Sequence, residues 1–339
     1  MNIEKPSLLA ALGAMMGAPV RDAVFSEEIL HGGTVGDVRK LSGEAVAGDC
    51  RRPFALVVKT QRRWERHGDP GCWRREYEIY KNGLPGALAG DIQLPRCYLL
   101  EEENDLTRIW MEYIEGRTGK QLCLPDLELA AEKLGRQQAQ FHLNGKIDLP
   151  YLRGFPAARS SFDLWWNRVK KPLCRPMLGF SKKLRTVLNE YAARAGTLLE
   201  AFDSLPTTLC QGDVHNDNLI IRGSEVYLID WDSAGYGRMG EDAVDMLAEV
   251  FVYSDADISL LPEFRRRIAE GYCRGARGGG MELRLDDRLV RDIFALAWGF
   301  RVADRFLQHK HYKCYFSKKA SVRKRCVQLL RAMLLEEYP

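Results

Sequence analysis

Between Glu27 and Met111 the apolar positions come in short runs separated by glycine, proline and acidic breaks, which is the pattern of strands. Glu28-Ile29-Leu30-His31 and Val38-Arg39-Lys40-Leu41 flank Gly32-Gly33-Thr34-Val35-Gly36-Asp37 and predict a hairpin on a glycine-rich turn. Gly43 to Arg52 reads as a loop, and Pro53-Phe54-Ala55-Leu56-Val57-Val58-Lys59 as a compact β-prone run ending in a cation. Gly68-Asp69-Pro70-Gly71 is a breaker cluster. After it Trp73, Tyr77 and Tyr80 fall at helical spacing and predict a helix over Trp73–Asn82, closed by Gly83. Cys97-Tyr98-Leu99-Leu100 and Thr107-Arg108-Ile109-Trp110-Met111 flank the acidic stretch Glu101 to Asp105, a second hairpin.

After Gly116 the period changes. Asp126 is a candidate N-cap, with Leu127, Ala130, Ala131, Leu134 and Phe141 on one face. Further helices are expected at Ser161–Lys171, Ser181–Ala201, Asp242–Tyr253, Pro262–Gly275, Asp287–Phe306 and Ser321–Glu336, with Gly278-Gly279-Gly280 as a loop. The fold class is therefore α+β. The expected organisation is an N-terminal helix or tail over 1–20, an antiparallel-sheet lobe with one main helix over 21–112, and a larger, mainly helical lobe over 113–339. Met1 to Val20 loosely has the layout of a signal peptide. Glu4 inside the would-be basic region and Met15-Met16-Gly17 at its end favour a folded helix.

Of the 339 residues 46% are hydrophobic, 28% charged and 10% aromatic, enough for a sizeable core and unlike a disordered chain. No apolar run approaches the ~18 residues of a membrane span. The net charge of +4, from 50 basic and 46 acidic residues, is no nucleic-acid footprint. Arg265-Arg266-Arg267, Lys318-Lys319 and Arg323-Lys324-Arg325 read as solvated helix faces. Nine scattered cysteines without Cys-x-x-Cys spacing suggest free thiols in a reducing, cytoplasmic compartment. Oligomeric state is not legible in the chain.

The chemistry concentrates in Cys210 to Asp245. Leu219-Ile220-Ile221 and Val226-Tyr227-Leu228-Ile229 are apolar runs on either side of Arg222-Gly223-Ser224-Glu225. If they pair as a hairpin, Asn218 and Asp230 become neighbours, and Asp213 lies in the loop leading in. Two carboxylates and a carboxamide are hard oxygen donors of the kind Mg²⁺ accepts alongside water and phosphate. A carboxylate not on the metal can take a proton from an attacking hydroxyl.

Gly212-Asp213-Val214-His215-Asn216-Asp217-Asn218 followed by Ile229-Asp230-Trp231-Asp232 resembles the aminoglycoside phosphotransferase and choline kinase superfamily. The resemblance extends over most of the chain. It implies a bilobal protein-kinase-like fold and transfer of the γ-phosphate of ATP, with Mg²⁺, to a hydroxyl of a small molecule. By this resemblance Asp213 is the catalytic base, joined by His215 in the catalytic loop, and Asn218 and Asp230 hold the metal. Lys59 looks like the strand-three lysine, and Glu76, in Trp73-Arg74-Arg75-Glu76-Tyr77, like its helical partner. Gly32, Gly33 and Thr34 occupy the place of the phosphate-covering loop. Met111, Glu112 and Ile114 match the hinge beside adenine, whose backbone contacts leave GTP open as well as ATP. Asp242 is similar to the family aspartate that anchors the following helix, and His142 to a helix-end histidine that hydrogen-bonds in the core. Gln211 departs from the pattern, which usually has His there. His215, where protein kinases usually carry Lys, and the lack of Ala-Pro-Glu favour the small-molecule branch.

A cationic acceptor calls for carboxylates or aromatic rings. Asp232, Glu241 and Trp298 are the acceptor-side candidates, with Trp165, Trp166 and Trp231 as further aromatics. An aminoglycoside or other antibiotic, a choline-like amino alcohol and a sugar all stay open. The expected partners are a nucleotide and a small-molecule acceptor, with no nucleic acid. The alternative is a nucleotide-binding pseudokinase or scaffold without turnover.

Overall fold

The computed structural model describes residues 3–30, 36–65, 69–88, 90–144, 149, 151–153, 157–173, 181–252, 256–311 and 316–339. In chain order, α1 (Lys5–Met16), β1 (Val20–Ile29), β2 (Asp37–Ala47) and β3 (Cys50–Arg62) lead to α2 (Cys72–Lys81) and the short α3 (Leu84–Ala87). Next come β4 (Ile92–Gln93), β5 (Cys97–Glu103), β6 (Leu106–Glu112) and β7 (Arg117–Thr118), then α4 (Leu124–Asn144), α5 (Ala157–Leu173) and α6 (Lys182–Asp203). Four short strands follow, β8 (Thr207–Cys210), β9 (Leu219–Arg222), β10 (Glu225–Leu228) and β11 (Gly235–Arg238). The chain ends in α7 (Glu241–Val252), α8 (Leu261–Gly278), α9 (Asp287–Phe294), α10 (Phe300–His311) and α11 (Phe316–Leu335). It forms two compact units. One comprises Met1–Thr118, Ile147–Leu152 and Asp217–Ala234, and the other Gly119–Lys146, Arg153–Asn216 and Gly235–Pro339.

The first unit is built on an antiparallel sheet of order β1-β2-β3-β6-β5. Because side chains alternate along a strand, β3 presents two unlike faces. Leu56 and Val58 join Leu41, Phe54 and Trp110 against Leu8, Ala11 and Leu12 of α1. Burying one such leucine contributes roughly 1.5–3 kcal/mol. Ser7 adds a polar tie, its Oγ donating to Glu101 Oε1 at 2.6 Å. The opposite face carries Val57 and Lys59, paired in register with Met111 and Ile109 of β6.

The segment from Gly43 to Arg52, expected as a loop, is sheet instead. β2 runs on to Ala47, and β3 starts at Cys50 in register Ala47↔Cys50. The glycine that suggested a loop is there for packing, since a Cβ on Gly43 would collide with the Val24 carbonyl of β1. A second sheet of the same unit has order β4-β10-β9-β7.

The second unit is mainly helical. α4 and α8 pack backbone to backbone because Gly135 faces the Tyr272 carbonyl and Gly275 the Glu132 carbonyl, where a Cβ has no room. Ser181 and Asp286 cap α6 and α9, accepting the N–H groups of Leu184 (3.2 Å) and Leu289 (2.7 Å). The helix expected over Asp287–Phe306 is interrupted by a π-helical turn at Ala295–Gly299. Of the glycine run expected as a loop, Gly278 ends α8, Gly279 is its C-cap and Gly280 lies in the turn beyond. Arg265 is not on a solvated face. It is 5% exposed and forks onto Asp287 at 2.6 and 2.9 Å.

The described cysteines, Cys50, Cys72, Cys97, Cys123, Cys210, Cys273 and Cys326, are free thiols. No described helix is long and apolar enough to cross a membrane.

Candidate active site

In the first unit Lys59 and Glu76 meet because β3 and α2 turn one side chain each toward the other. Both are buried, at 7% and 1% exposure. Lys59 Nζ donates to Glu76 Oε2 and, at 2.6 Å, to Asp230 Oδ1. Burial opposes the lysine charge, but the carboxylates of Asp230, Glu76 and Asp232 outweigh it and hold the ammonium well above the ordinary lysine pKa. One cation facing three carboxylates leaves negative charge that a further cation would neutralise.

β9 and β10 pair antiparallel with Leu219 opposite Leu228. The Ile229 N–H donates to the Asn218 carbonyl at 3.0 Å. Asn218, 5% exposed, therefore lies level with the end of β10, beside which Asp230 follows. Asp230 itself adopts φ 59°, ψ 64°, a left-handed conformation that costs a non-glycine residue roughly 1–2 kcal/mol. A one-turn helix at Trp231–Ser233 follows, locked by Trp231 Nε1 donating to the Leu228 carbonyl at 2.9 Å.

Arg75 was not singled out in the sequence, yet it ties this turn to α2. It is 2% exposed. Its Nη1 donates to the Asp232 carbonyl, its Nε to the Tyr151 carbonyl at 2.5 Å, and its Nη2 to both Asp69 oxygens at 2.7 and 2.8 Å. The signal was its place beside Glu76 in Arg74-Arg75-Glu76. Arg74 points elsewhere, to Glu78 one turn on, at 2.8 Å.

In the second unit the strand β8 pairs with β11 and delivers the Gln211–Asp213 loop. Asp242, fully buried at the start of α7, accepts the Gln211 N–H on Oδ2 (2.9 Å) and the Gly212 N–H on Oδ1 (3.0 Å). Gln138 Nε2 from α4 also donates to Asp242 Oδ2 at 2.9 Å, and Tyr272 of α8 donates to Gln138 Oε1. Burial pushes the Asp242 carboxyl up to about 6, against the pull of the Gly212, Gln211 and Gln138 donors. The aspartate expected to anchor its helix thus also holds the loop before Asp213. The Asp213 side chain is 39% exposed, and His215 Nε2 lies 3.9 Å from its Oδ2.

Met111 is 5% exposed and pairs with Val57 and Cys97, on the sheet face that bears Lys59. The Glu112 N–H donates to the Arg96 carbonyl at 2.8 Å, and Ile114 is buried just beyond the strand. Gly32, Gly33 and Thr34 lie outside the described residues. Asp232, Glu241 and Trp298 are each 4% exposed. Asp232 Oδ1 accepts from Ser233 Oγ (3.2 Å), Glu241 Oε2 accepts the Arg238 N–H (2.9 Å), and Trp298 Nε1 donates to Asp245 Oδ1 (3.0 Å) from the π-helical turn. Burial, with Asp242, Glu241 and Asp213 nearby, pushes the Asp245 carboxyl well up. The Trp298 ring carries the Arg301 guanidinium 4.4 Å from its centroid. His142 hydrogen-bonds the Thr207 carbonyl through Nδ1 at 2.8 Å, but from an exposed position rather than the core. Among the described residues no three His, Cys, Asp or Glu side chains gather as a metal cage.

Residues 73–283 match the model of the APH family, the phosphotransferase enzyme family. No curated protein sequence matches the chain. Among solved structures the chain is similar to a microcompartment-associated aminopropanol kinase, at 16% identity and TM-score 0.59, covering 97% of this chain and 98% of that one. It is similar to the amicoumacin kinase hAmiN, in complex with AMP-PNP, Ca²⁺ and Ami, at 14% identity and TM-score 0.56, covering 92% and 89%. It is also similar to choline kinase from Cryptosporidium parvum, at 14% identity and TM-score 0.55, covering 91% and 88%. These likenesses give the fold as protein-kinase-like, with an antiparallel sheet in the N-terminal part and a mainly helical C-terminal part. With the family model spanning more than half of the chain, this protein belongs to the phosphotransferase enzyme family and is a small-molecule kinase.

Proposed function

We propose that this protein transfers the γ-phosphate of ATP, with Mg²⁺, to a hydroxyl of a small molecule. The observation that carries the reading is the buried Lys59–Glu76 pair with the half-buried Asp230 on the same ammonium. A lysine held charged between two carboxylates is suited to phosphate oxygens, and the surplus negative charge around it is suited to a divalent cation. One carboxylate and one carboxamide, Asp230 and Asn218, form a donor set that Mg²⁺ accepts when water and phosphate complete its shell. Bound there, the ion would neutralise charge on the β- and γ-phosphates.

The chain's own residues do the rest. Lys59 turns from Asp230 toward the α- and β-phosphates and keeps Glu76. Met111, Glu112 and Ile114 border the base, and Gly32, Gly33 and Thr34 cover the phosphates. Asp213, its carboxylate partly exposed, takes the proton of the acceptor hydroxyl as that oxygen bonds the γ-phosphorus. The bond from phosphorus to the bridging oxygen breaks, and ADP leaves with its electron pair. His215, its Nε2 3.9 Å from Asp213 Oδ2, joins it in the catalytic loop. Asp232, Glu241 and Trp298 shape the acceptor side through the groups they hold, the Ser233 hydroxyl, the Arg238 N–H and the Asp245 carboxyl.

An aminoglycoside or other antibiotic, a choline-like amino alcohol and a sugar are the acceptor classes in view. The names of the similar structures, an aminopropanol kinase, a choline kinase and an amicoumacin kinase, support that range. The free, scattered thiols support a cytoplasmic setting. A pseudokinase that binds nucleotide without turnover is the second reading, and retention of Lys59, Asp213, Asn218 and Asp230 favours the enzyme over it.

The test is a screen for acceptor-stimulated ADP release. It spans aminoglycosides, macrolides, choline, ethanolamine and simple sugars, with ATP and GTP in parallel. One acceptor class should stimulate release, and chelation of Mg²⁺ should abolish it. Nucleotide binding with no release under any acceptor would favour the pseudokinase.

A further inference from the structure

Three consecutive backbone N–H groups lead into Asp213, and side-chain oxygens take all three. Gly212, at φ 80°, makes a left-handed turn between Gln211 and Asp213. Asp242 receives the first two, from Gln211 and Gly212. The third, that of Asp213 itself, donates to Gln211 Oε1 at 2.7 Å. Gln211 is 1% exposed, so this bond forms away from competing water.

We infer that Gln211 is a positioning residue for Asp213, acting through its side-chain oxygen on the Asp213 backbone N–H. This rests on the reading of Asp213 as the base. The geometry is a local side-chain-to-backbone turn, of the type in which a side-chain oxygen accepts the N–H two residues on. It fixes the backbone at the residue whose carboxylate is 39% exposed. Leaving a buried N–H unpaired costs about 1–3 kcal/mol, so without Gln211 the loop would rearrange to find another acceptor. A shift of about 1 Å in a reacting group lowers turnover on the order of 100-fold. Asp242 holds the two preceding donors from α7, and Gln138 braces Asp242 from α4. Gln211 therefore completes the hold at the one N–H that Asp242 does not take.

The experiment compares the full-length wild-type chain with Gln211→Leu, which keeps a similar volume without the oxygen, and Gln211→Asn, which restores an acceptor. Each is measured for MgATP-dependent ADP release and for hydrogen exchange in the peptide spanning Cys210–Val214. The expected result for Gln211→Leu is a kcat lower by about 10- to 100-fold, a KM for ATP within about twofold, and faster exchange in that peptide. Gln211→Asn should recover most of the kcat and the protection. If Gln211→Leu does not fold, Gln211→Met carries the same expectation. Unchanged kcat and exchange in the variant lacking the oxygen would overturn the inference, as would a KM that rises as much as kcat falls. A wild-type chain that releases no ADP under any acceptor would sink the proposed function instead, and the exchange comparison would still decide the role of Gln211.

Discussion

Lys59 Nζ and Asp230 Oδ1, 171 positions apart in the chain, lie 2.6 Å from each other, with Glu76 on the same ammonium. Removing the cation leaves Glu76 as a buried charge without its partner. Breaking such a pair from one side costs about 3–5 kcal/mol. Lys59→Met should therefore lower both thermal stability and nucleotide affinity. Glu76→Gln should be milder, since Asp230 still faces the lysine. Differential scanning fluorimetry with and without MgATP checks both, and a Lys59→Met variant as stable as wild type would refute the buried pairing.

Asp213→Asn keeps the shape of the side chain and removes its basicity. Turnover should fall by about 10²- to 10⁴-fold with nucleotide affinity nearly intact. Asp230→Ala should behave differently, because the dependence of nucleotide binding on Mg²⁺ should vanish. Calorimetric titration of nucleotide with and without Mg²⁺, run on both variants, separates the two roles. Equal Mg²⁺ dependence in wild type and Asp230→Ala would remove Asp230 from the metal.

What was legible in the chain follows from locality. The 219–228 hairpin and its neighbours Asn218 and Asp230 could be read because a four-residue turn candidate and two apolar runs fix one another's register. The helix bearing Glu76 was legible from the spacing of Trp73, Tyr77 and Tyr80. The strand character of Gly43–Arg52 was not, because its glycine answers to the approach of β1 from the far side of a long hairpin. Arg75 was missed for a related reason. Its partners, the Asp232 and Tyr151 carbonyls, are backbone atoms far along the chain, and no residue type announces them. The π-helical turn at Ala295–Gly299 left no mark on the apolar period of the helix it interrupts.

Asp242 gives the molecule a pH dependence whose sign can be worked out. Its carboxyl is raised from 3.8 to about 6 in the fold, chiefly by burial. Between those values the unfolded chain loses the proton while the folded one keeps it, so stability from this group falls as pH rises from about 4 to about 6 and is level above. The span corresponds to on the order of 3 kcal/mol. Activity should run the other way. The ionised carboxylate accepts all three N–H donors, from Gln211, Gly212 and Gln138, and a proton on it takes away acceptor capacity. Urea unfolding at pH 4 to 7 should show a slope in wild type that Asp242→Asn lacks, and kcat should decline below about pH 6. A wild type and variant with parallel stability profiles would show that Asp242 ionises normally.

Arg75 makes the strongest case for a residue that acts at a distance from the chemistry. Its fork holds the Asp232 carbonyl and the Asp69 carboxylate together, and with them the turn that follows the left-handed Asp230. Lysine cannot reproduce that fork, since a single ammonium has neither the planarity nor the reach to serve two acceptors in fixed directions. Both Arg75→Met and Arg75→Lys should therefore lose stability, by about 2–4 kcal/mol for Arg75→Met, where the half-buried Asp69 carboxylate and the Asp232 and Tyr151 carbonyls lose the arginine's donors. A loss of that size lowers Tm by roughly 3–6 °C in a chain of this length. If the fork also sets the conformation of Asp230, the Mg²⁺ concentration for half-maximal activity should rise several-fold in both variants at temperatures where they remain folded. Arg74→Met is the control, because Arg74 pairs with Glu78 and Glu102 rather than with the turn. A fall in Tm with unchanged Mg²⁺ half-saturation would make Arg75 a brace for the fold alone, and Asp230 would then owe its strained backbone to the hairpin and Trp231.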